Sequence, residues 1–376
     1  MSAGLSNPFI VAVPNLDSYP PKTGIGRVFQ SIRNSWDSRI QLTDATLESY
    51  PLPFLRNNPY GVRIMANTDM ILNPRLTGAQ ALRKTQGIPS VVIVHDVGIR
   101  DFPGDRIGLD WMTYWTIIRD FWGLQYASHL IAGSQFTKQR ILKYLPDLTD
   151  RISVITFGAG TLFLEHTRDK RESSTALGKM ADVITGSPVL IYVGSEIPRK
   201  NIKLLLQVFQ RIKDSHPNAQ LLKVGRPGQP RWRMDTLRIA ESLGLRIGND
   251  IVIIEDVDDR VLADLYGIAD VFVSTSLYEG FGLPAVEAMA VGTPVVVTTC
   301  GSFPEVVGEV GWVVEPRLES FTQAVEQALA DPWKSERVLK GRERAAQMNW
   351  AKAAQGFLEV VETICNGRSS SAMERI

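Results

Sequence analysis

Two glutamates eight positions apart, Glu279 and Glu287, flank a glycine-rich segment whose residue types suit the binding of a polar ligand. Gly280 and Gly282 let bare backbone approach a ligand, and Pro284 suits the first position of a helix, where its missing N–H has no partner to lose. We therefore expect Glu287 in the first helical turn, with backbone N–H groups facing an anion or a hydroxyl group. Such a carboxylate pair arises about once by chance at average composition, so the glycines and the proline give the pattern its specificity.

A pair of cations, Arg199 and Lys200, follows the apolar run Val189–Val193 and precedes a segment of helical period that extends through Phe209. Asn201 is the expected N-cap of that helix, which would place both cations just outside a helix N-terminus. Fixed positive charge there adds to the helix dipole and favours an anion such as a diphosphate. The structural alternative is an ordinary solvated surface.

Two further candidates lie near the ends of earlier predicted strands. The run Val91–Val94 leads into His95 and Asp96, which places an imidazole and a carboxylate at the edge of a sheet, facing a predicted interdomain cleft. The loop that contains Gly24 and Gly26 follows the first strand and lacks the third glycine of a dinucleotide-binding fingerprint. A buried, satisfied histidine and a plain tight turn are the structural alternatives.

Alternating apolar runs and helical segments place these residues on two α/β halves, because parallel strands need crossover helices. The predicted strands are 9–13, 91–95, 129–132, 152–155, 189–193, 220–224, 251–254, 271–274 and 294–298. We expect an N-terminal Rossmann-like domain over residues 1–165, a linker over 166–187, a C-terminal Rossmann-like domain over 188–348, and over 349–376 a helix that returns to the first domain and ends in a frayed tail.

Composition narrows the functional classes. The 376 residues carry 41 Lys and Arg against 40 Asp and Glu, a formal net charge of +1, so nucleic acid is not an expected partner. Cys300 and Cys365 are too few for a disulfide framework or a four-ligand zinc site. No apolar run approaches the roughly 18 residues that span a bilayer, and no signal peptide is visible. We expect a cytoplasmic protein that at most rests on the inner face of a membrane.

An aromatic segment from Trp111 to Tyr126 bears on that last point. Trp111, Tyr114, Trp115, Ile118 and Trp122 recur at helical spacing and form one broad apolar face. Core packing or a dimer contact is the favoured interpretation. An acceptor groove or a peripheral membrane contact is the alternative, because Trp and Tyr favour the membrane boundary. The oligomeric state is left open.

The motifs together resemble those of nucleotide-sugar glycosyltransferases of the GT-B fold, and specifically the retaining enzymes of glycosyltransferase family 4. The resemblance rests on the segment EGFGLPAVE at 279–287, AMAVGTPVVV at 288–297, GSFPEVVG at 301–308, Gly311 and Asn349-Trp350. PRKN at 198–201, His95-Asp96 and the Gly24/Gly26 loop precede them in the family's order. The fold implied is GT-B, with two Rossmann-like parallel-sheet domains facing across a cleft.

The resemblance implies a role for each candidate. Arg199 and Lys200 would hold the donor diphosphate, Glu287 the ribose hydroxyls, and His95 the reactive face of the sugar. Glu279, with the backbone of Gly280, Phe281, Gly282 and Leu283, would hold the transferred sugar. The Gly24–Gly26 loop would meet the donor phosphate from the first domain. The sugar nucleotide is a co-substrate, so no cofactor is expected, and the acceptor would be a glycan or a lipid-linked sugar in polysaccharide or glycoconjugate synthesis.

This chain departs from the family pattern at two places, and both concern the donor. Ser195 stands where many relatives carry an arginine, and Glu255-Asp256-Val257 stands where a glycine-containing turn commonly closes the base pocket. The donor base therefore stays open, with GDP-mannose favoured and a UDP-sugar next. The triplet Asp256-Val257-Asp258 is compatible with a metal-binding D-x-D motif, but about one such triplet is expected by chance, and we expect metal-independent activity.

Other functional classes compete with a glycosyltransferase. A nucleotide-sugar epimerase or a phosphorylase of the same fold is the nearest enzyme alternative. A catalytically inactive sugar-nucleotide-binding or scaffold protein is the non-enzymatic alternative, although inactivation would be expected to erase His95, Glu279 or the Arg199-Lys200 pair. A dinucleotide-dependent oxidoreductase lacks its third glycine.

Overall fold

A computed structural model describes residues 8–18, 24–36, 38–49, 59–64, 67–85, 87–102, 104, 109–166, 168–331 and 335–373. The chain forms two units. The first comprises Met1–Phe157 and Trp350–Ile376, and the second comprises Gly158–Asn349. Each unit contains its own sheet and its own buried apolar cluster, so each is described by itself.

The first unit is built on a sheet of seven strands in the described residues: β1 (Phe9–Pro14), β2 (Ile40–Ser49), β3 (Pro59–Arg63), β4 (Met70–Asn73), β5 (Ser90–Val94), β6 (His129–Ala132) and β7 (Ile152–Val154). The strand order is β3-β2-β1-β4-β5-β6-β7. Its helices before residue 157 are α1 (Gly24–Ser35), α2 (Gly98–Asp101), α3 (Trp111–Gly123) and α4 (Gln135–Tyr144). All pairings are parallel except that of β2 with the edge strand β3, which is antiparallel.

The central strands of this sheet are buried on both faces. All five residues of β5 are buried, as are all four of β4. Continuous Val and Ile runs such as Ser90–Val94 produce this burial, because helices cover both faces of a parallel sheet. Burial on both faces holds β5 in place, and His95 is the first residue beyond its carboxyl end.

The second unit carries a six-stranded sheet within the described residues: β8 (Val189–Val193), β9 (Gln220–Val224), β10 (Ile251–Ile254), β11 (Val271–Ser274), β12 (Val295–Thr298) and β13 (Trp312–Val314). The order is β10-β9-β8-β11-β12-β13, and every pairing is parallel. Its helices are α5 (Thr161–Leu164), α6 (Lys170–Leu177), α7 (Ile202–Ser215), α8 (Pro230–Ser242), α9 (Asp259–Ile268), α10 (Leu283–Val291), α11 (Phe303–Val306), α12 (Leu318–Ala330) and α13 (Glu336–Gln347). The last helix, α14 (Trp350–Met373), belongs to the first unit.

The prediction of two α/β halves is confirmed, and the predicted strands agree with the observed ones to within one residue at each end. Four strands, β2, β3, β4 and β13, have no counterpart in the prediction. Of these, β2 has polar residues at alternate positions and β13 has only three residues. Neither produces the continuous apolar run that marked the other strands.

Residues 166–187, expected to form a linker, fall inside the second unit. They include α6, whose Ser173 and Leu177 are buried. Ser173 lies under α9, since a Cβ added to Gly267 would come within 2.5 Å of its Oγ. The polar composition that suggested a linker belongs to the exposed side of this short helix. No helix in the described part of the chain is long and apolar enough to cross a membrane.

Candidate active site

The centre of the candidate site is an ion pair between two residues predicted to act on the same ligand. Nζ of Lys200 lies 2.5 Å from Oε1 of Glu279, and the two side chains are only 15% and 13% exposed. They are 79 positions apart in sequence, and each follows the carboxyl end of a strand, β8 and β11 respectively. Loops beyond the carboxyl ends of strands are where ligands bind in open parallel sheets.

Hydrogen bonds to backbone carbonyls hold these two loops against each other. Oγ1 of Thr275 donates to the carbonyl oxygens of Lys200 and Asn201, at 3.1 and 3.0 Å. The N–H of Leu277 donates to the carbonyl oxygen of Arg199 at 2.7 Å. The Arg199 guanidinium lies over the ring of Tyr278, with Cζ 5.9 Å from the centroid. The Arg199-Lys200 pair is therefore fixed to the Glu279 loop at both main chain and side chain.

Asn201 is the N-cap residue of α7, as predicted. Pro198–Lys200 form a 3-10 turn, and Asn201 follows in the left-handed conformation, with φ 51°. It occupies the N-cap position, but its side chain makes no capping hydrogen bond. Asn tolerates this backbone conformation better than most residues, so it ends the turn and allows Lys200 to face Glu279 while α7 departs in another direction.

Glycine is required at two positions around Glu279. Gly282 precedes α10 with φ 91°, and a Cβ there would lie 2.8 Å from Cε1 of Phe303. Gly301 has φ 70°, and a Cβ there would lie 2.5 Å from the backbone nitrogen of Glu279. The N–H of Ser302 donates to the Glu279 carbonyl at 3.1 Å. The segment GSFPE thus closes over the backbone of the glutamate loop, whose Gly280, Phe281 and Gly282 are buried.

The predicted position of Glu287 in the first helical turn is wrong. α10 begins at Leu283, which places Pro284 second and Glu287 fifth. The Glu287 side chain is buried, with the residue only 3% exposed, and Oε2 accepts a hydrogen bond of 3.2 Å from the Tyr266 hydroxyl. A buried carboxylate needs such partners, because an unpaired buried charge is costly.

A buried ionic network next to this site was missed at the sequence level. Glu196 accepts from Nζ of Lys223 at 2.7 Å and from Nη2 of Arg233 at 2.7 Å, and the same Nη2 lies 2.9 Å from Oε1 of Glu255. Burial disfavours the charged form, but the hydrogen bonds from Arg233 and Lys223 outweigh it and lower the pKa of Glu196. The sequence did contain a signal for this network, because Lys223 interrupts the apolar run of β9. In the structure Lys223 is only 2% exposed.

In the first unit, His95 and Asp96 lie at the carboxyl edge of the sheet as predicted. Nε2 of His95 is 2.8 Å from the carbonyl oxygen of Pro74, and burial lowers the pKa of the imidazole. A carbonyl only accepts hydrogen bonds, so Nε2 carries the proton of the neutral ring and Nδ1 carries the lone pair. Oδ1 of Asp96 accepts from the N–H of Gly98 at 2.9 Å, at the start of α2.

The Gly24–Gly26 segment is helical, which corrects the expectation of a loop. Both glycines lie in the first turn of α1, which begins at Gly24. Thr23, which precedes them, lies outside the described residues. α1 follows β1. In the sheet, β4 lies between β1 and β5. Gly24 and Gly26 therefore form a helix N-terminus beyond the same sheet edge that carries His95.

The aromatic face of α3 is exposed, so its interpretation as core packing is wrong for most of its members. The exposed fractions are 72% for Trp111, 59% for Trp115, 39% for Trp122 and 38% for Tyr126, which follows the helix. Ile118 and Phe121 supply the buried side of the helix instead. Arg100 lies 5.3 Å from the Trp122 ring centroid, and Arg83 lies 6.0 Å from that of Tyr126.

The carboxylates of the D-x-D triplet have other partners. Asp256 makes a two-point ion pair with Arg226, at 2.8 and 2.6 Å, and Asp258 caps α9 by accepting from the N–H of Val261 at 2.9 Å. Among the described residues, no group of three or more His, Cys, Asp or Glu side chains is placed to hold a metal ion. Both aspartates therefore have structural roles.

Residues 180–348 match the family described as "Glycosyl transferases group 1". The chain is 32% identical over 230 residues to the O-antigen chain mannosyltransferase B of Escherichia coli, a match covering 60% of this chain and 58% of that relative. The matched segment thus spans less than two thirds of the relative's length. These matches confirm the family resemblance that the motifs indicated.

Solved structures confirm the GT-B fold class. Sucrose-phosphate synthase from Thermosynechococcus elongatus aligns with a TM-score of 0.74 at 20% identity, covering 96% of this chain and 100% of that one. HepE of Anabaena, solved in complex with UDP-glucose, aligns with a TM-score of 0.73 at 18% identity and covers 94% of this chain and 99% of its own. At these identities the likeness concerns the fold alone.

Proposed function

Because residues 180–348 carry the domain of the group 1 glycosyl transferases, we propose that the protein is a retaining glycosyltransferase. It transfers a hexose from a nucleotide sugar to a glycan or lipid-linked acceptor. The observation that carries the proposal is the partly buried pair of Lys200 and Glu279, held at the carboxyl ends of β8 and β11 by the bonds from Thr275 and Leu277.

Charge development in the reaction matches the charges of this site. Cleavage of the bond between the anomeric carbon and the phosphate oxygen leaves positive charge on the sugar and negative charge on the diphosphate. Fixed cations and N–H donors at the diphosphate therefore stabilise the transition state more than the ground state. Arg199, Lys200 and the N-terminus of α10 supply these groups.

Glu279 has two functions in this proposal. It accepts hydrogen bonds from the hydroxyls of the transferred sugar, and it holds the Lys200 ammonium at the diphosphate. The acceptor oxygen attacks the anomeric carbon from the face that the diphosphate leaves, and a departing phosphate oxygen takes the acceptor proton. This front-face route needs no carboxylate nucleophile, in contrast to retaining glycosidases. No metal ion takes part, and the sugar nucleotide is the only small-molecule co-substrate besides the acceptor.

GDP-mannose is the proposed donor, supported by the similarity to the O-antigen chain mannosyltransferase, and a UDP-sugar is second, as HepE was solved with UDP-glucose. In this proposal His95 acts on the reactive face of the sugar through the lone pair of Nδ1. The exposed tryptophans of α3, with Arg100 beside Trp122 and Arg83 beside Tyr126, support a peripheral contact with an anionic membrane, where a lipid-linked acceptor would reside.

A screen of nucleotide sugars tests the proposal. Thermal unfolding is measured with GDP-mannose, UDP-glucose and other donors, together with donor hydrolysis and the anomeric configuration of the product by NMR. A donor at 100 times its dissociation constant stabilises the fold by about 2.7 kcal/mol. The matched controls are Glu279→Gln, expected to lose turnover, and Glu319→Gln on α12, expected to keep it. If no nucleotide sugar stabilises or is turned over, the protein is not a glycosyltransferase, and inversion of configuration would remove the retaining mechanism.

A further inference from the structure

The buried ionic network lies beside the turn Pro198–Lys200, which carries the two cations proposed to bind the diphosphate. Glu196 is its centre. Oε1 of Glu196 accepts from Nζ of Lys223 at 2.7 Å, and Nε of Arg233 lies 2.9 and 3.1 Å from the two carboxylate oxygens. The Glu196 side chain is 0% exposed, so it does not contact a bound donor itself. Any part that it plays in the reaction must act through the neighbouring turn.

Stability alone does not account for a buried ion pair at this place. Burial removes the hydration of both ions, and replacing such a pair with well-packed apolar side chains is often neutral or stabilising. Charged groups add direction instead. Nε and Nη2 of Arg233 bind the Glu196 carboxylate at two points, at 3.1 Å to Oε2 and 2.7 Å to Oε1, and such a fork fixes the orientation of both groups.

The backbone around Glu196 passes this constraint to Lys200. The N–H of Glu196 donates to the carbonyl oxygen of Pro227 at 3.0 Å, in the loop that follows β9. Gly228 of the same loop lies against Ile197, since a Cβ there would be 3.1 Å from Cγ2 of Ile197. The carbonyl oxygen of Ile197 accepts from the N–H of Lys200 at 2.9 Å. A shift of Glu196 therefore reaches Lys200 through a single residue.

We propose that Glu196 is a positioning residue of the candidate active site, and that Lys223 and Arg233 hold its carboxylate for this purpose. Glu196 fixes the turn Pro198–Lys200, so that the cations of the turn face the diphosphate before it binds. Stabilisation of a transition state depends on such preorganisation, and a displacement of about 1 Å can lower a rate about a hundredfold. The inference rests on the proposed function, because that function assigns the diphosphate to this turn.

Calorimetric titration with GDP and with guanosine tests the inference, with UDP and uridine in parallel. The ratio of the two affinities is the factor by which the diphosphate tightens binding, and we call it the diphosphate factor. Arg233→Met should fold, because Glu196 keeps Lys223 and the other partner of Arg233, Glu255, is 40% exposed. Its diphosphate factor should fall about tenfold or more, and kcat with GDP-mannose should fall at least about tenfold. Arg233→Lys restores a cation and should regain most of both.

Asp250 provides a matched control at the opposite edge of the same sheet, directly before β10. It is likewise a buried carboxylate held by an arginine and a lysine, with Nε of Arg246 at 3.1 Å and Nζ of Lys213 at 2.9 Å. Arg246→Met should therefore leave the diphosphate factor and kcat unchanged. Glu196→Gln and Asp250→Asn each leave two cations without their shared counter-charge, and both should lower the free energy of unfolding. Only Glu196→Gln should lower the diphosphate factor and kcat.

The outcomes distinguish this inference from the proposed function. A wild type that binds GDP or UDP but turns over no nucleotide sugar contradicts glycosyl transfer, and the diphosphate factor then decides the inference alone. The inference is overturned if neither GDP nor UDP binds more tightly than its nucleoside. It is also overturned if folded Arg233→Met keeps the wild-type diphosphate factor, or if Arg246→Met lowers that factor as much as Arg233→Met does.

Discussion

Lys200 and Glu279 form a partly buried ion pair with 2.5 Å between Nζ and Oε1, although 79 positions separate them in the chain. The relationship makes each residue a determinant of the other's position. A ligand phosphate that approaches the Lys200 ammonium therefore meets a group whose direction the Glu279 carboxylate has already fixed. Preorganisation of this kind is what electrostatic stabilisation of a transition state requires.

Replacing Arg199 and Lys200 together by alanine is expected to impair catalysis more than nucleoside binding. Each charge-assisted hydrogen bond is worth about 1.5–3 kcal/mol, so kcat should fall at least about a hundredfold. Calorimetry with nucleoside and nucleoside diphosphate, alongside donor turnover, measures the difference. Lys203→Ala, an exposed lysine on α7, is the control. Unchanged diphosphate affinity and turnover would identify the pair as a solvated surface.

Glu287→Gln is expected to raise the KM for the donor with a smaller change in kcat. The carboxylate would bind the ribose equally in the ground and transition states, and such uniform binding appears in KM. Steady-state kinetics with the donor measure the effect, which should be about tenfold or more. Tyr266→Phe removes the 3.2 Å hydrogen bond to Glu287 and should mainly lower stability, by about 1 kcal/mol. Equal effects of both variants on KM would argue for a purely structural carboxylate.

The lowered pKa of His95 predicts an acid-sensitive fold and an acid limb of turnover below pH 6.5. A buried imidazole resists protonation, so the unfolded state binds the extra proton first. The free energy of unfolding should therefore fall as the pH drops below the unfolded value of about 6.5. Denaturant unfolding between pH 7.5 and pH 5 checks this. His95→Gln keeps an N–H for Pro74 and should lose both this pH dependence and turnover; an unchanged profile would contradict the assignment.

Full turnover is expected in the presence of excess chelator. Cations at the diphosphate would take the part that a divalent metal takes elsewhere, and Asp256 and Asp258 are occupied by Arg226 and by the N-terminus of α9. Donor turnover is compared with and without EDTA, and then with manganese or magnesium restored. Loss of activity with rescue by metal would revive the D-x-D interpretation.

Replacing Trp111 and Trp115 by alanine is expected to weaken binding to anionic vesicles by about tenfold or more, because each exposed indole would bury a large apolar area in the interface. Vesicle flotation and tryptophan fluorescence with phosphatidylglycerol or phosphatidylcholine vesicles measure the binding. The Met234→Ala, Leu237→Ala variant removes exposed apolar groups from α8 in the second unit and is the control. If both variants bind alike, α3 is not the contact surface.

The sequence by itself determined the buried strands and most of the candidate residues. Runs such as Val91–Val94 and Val271–Ser274 are buried on both faces of a parallel sheet. Their continuous apolar composition was therefore enough to predict them as strands. The need for glycines in the segment 279–287 could also be predicted from the sequence. A positive φ at Gly282 is a local property of the backbone, and few residue types can adopt it.

Only the tertiary structure decided which of those residues meet and which surfaces stay exposed. The pairing of Lys200 with Glu279 and the buried contact of Lys223 with Glu196 depend on strands that are distant in sequence becoming neighbours in one sheet. The α3 tryptophans show the converse, because helical spacing defines an apolar face but not what covers it. Local propensity acts over a few residues, whereas burial and ion pairing depend on which distant segments pack together, and only the folded chain specifies that.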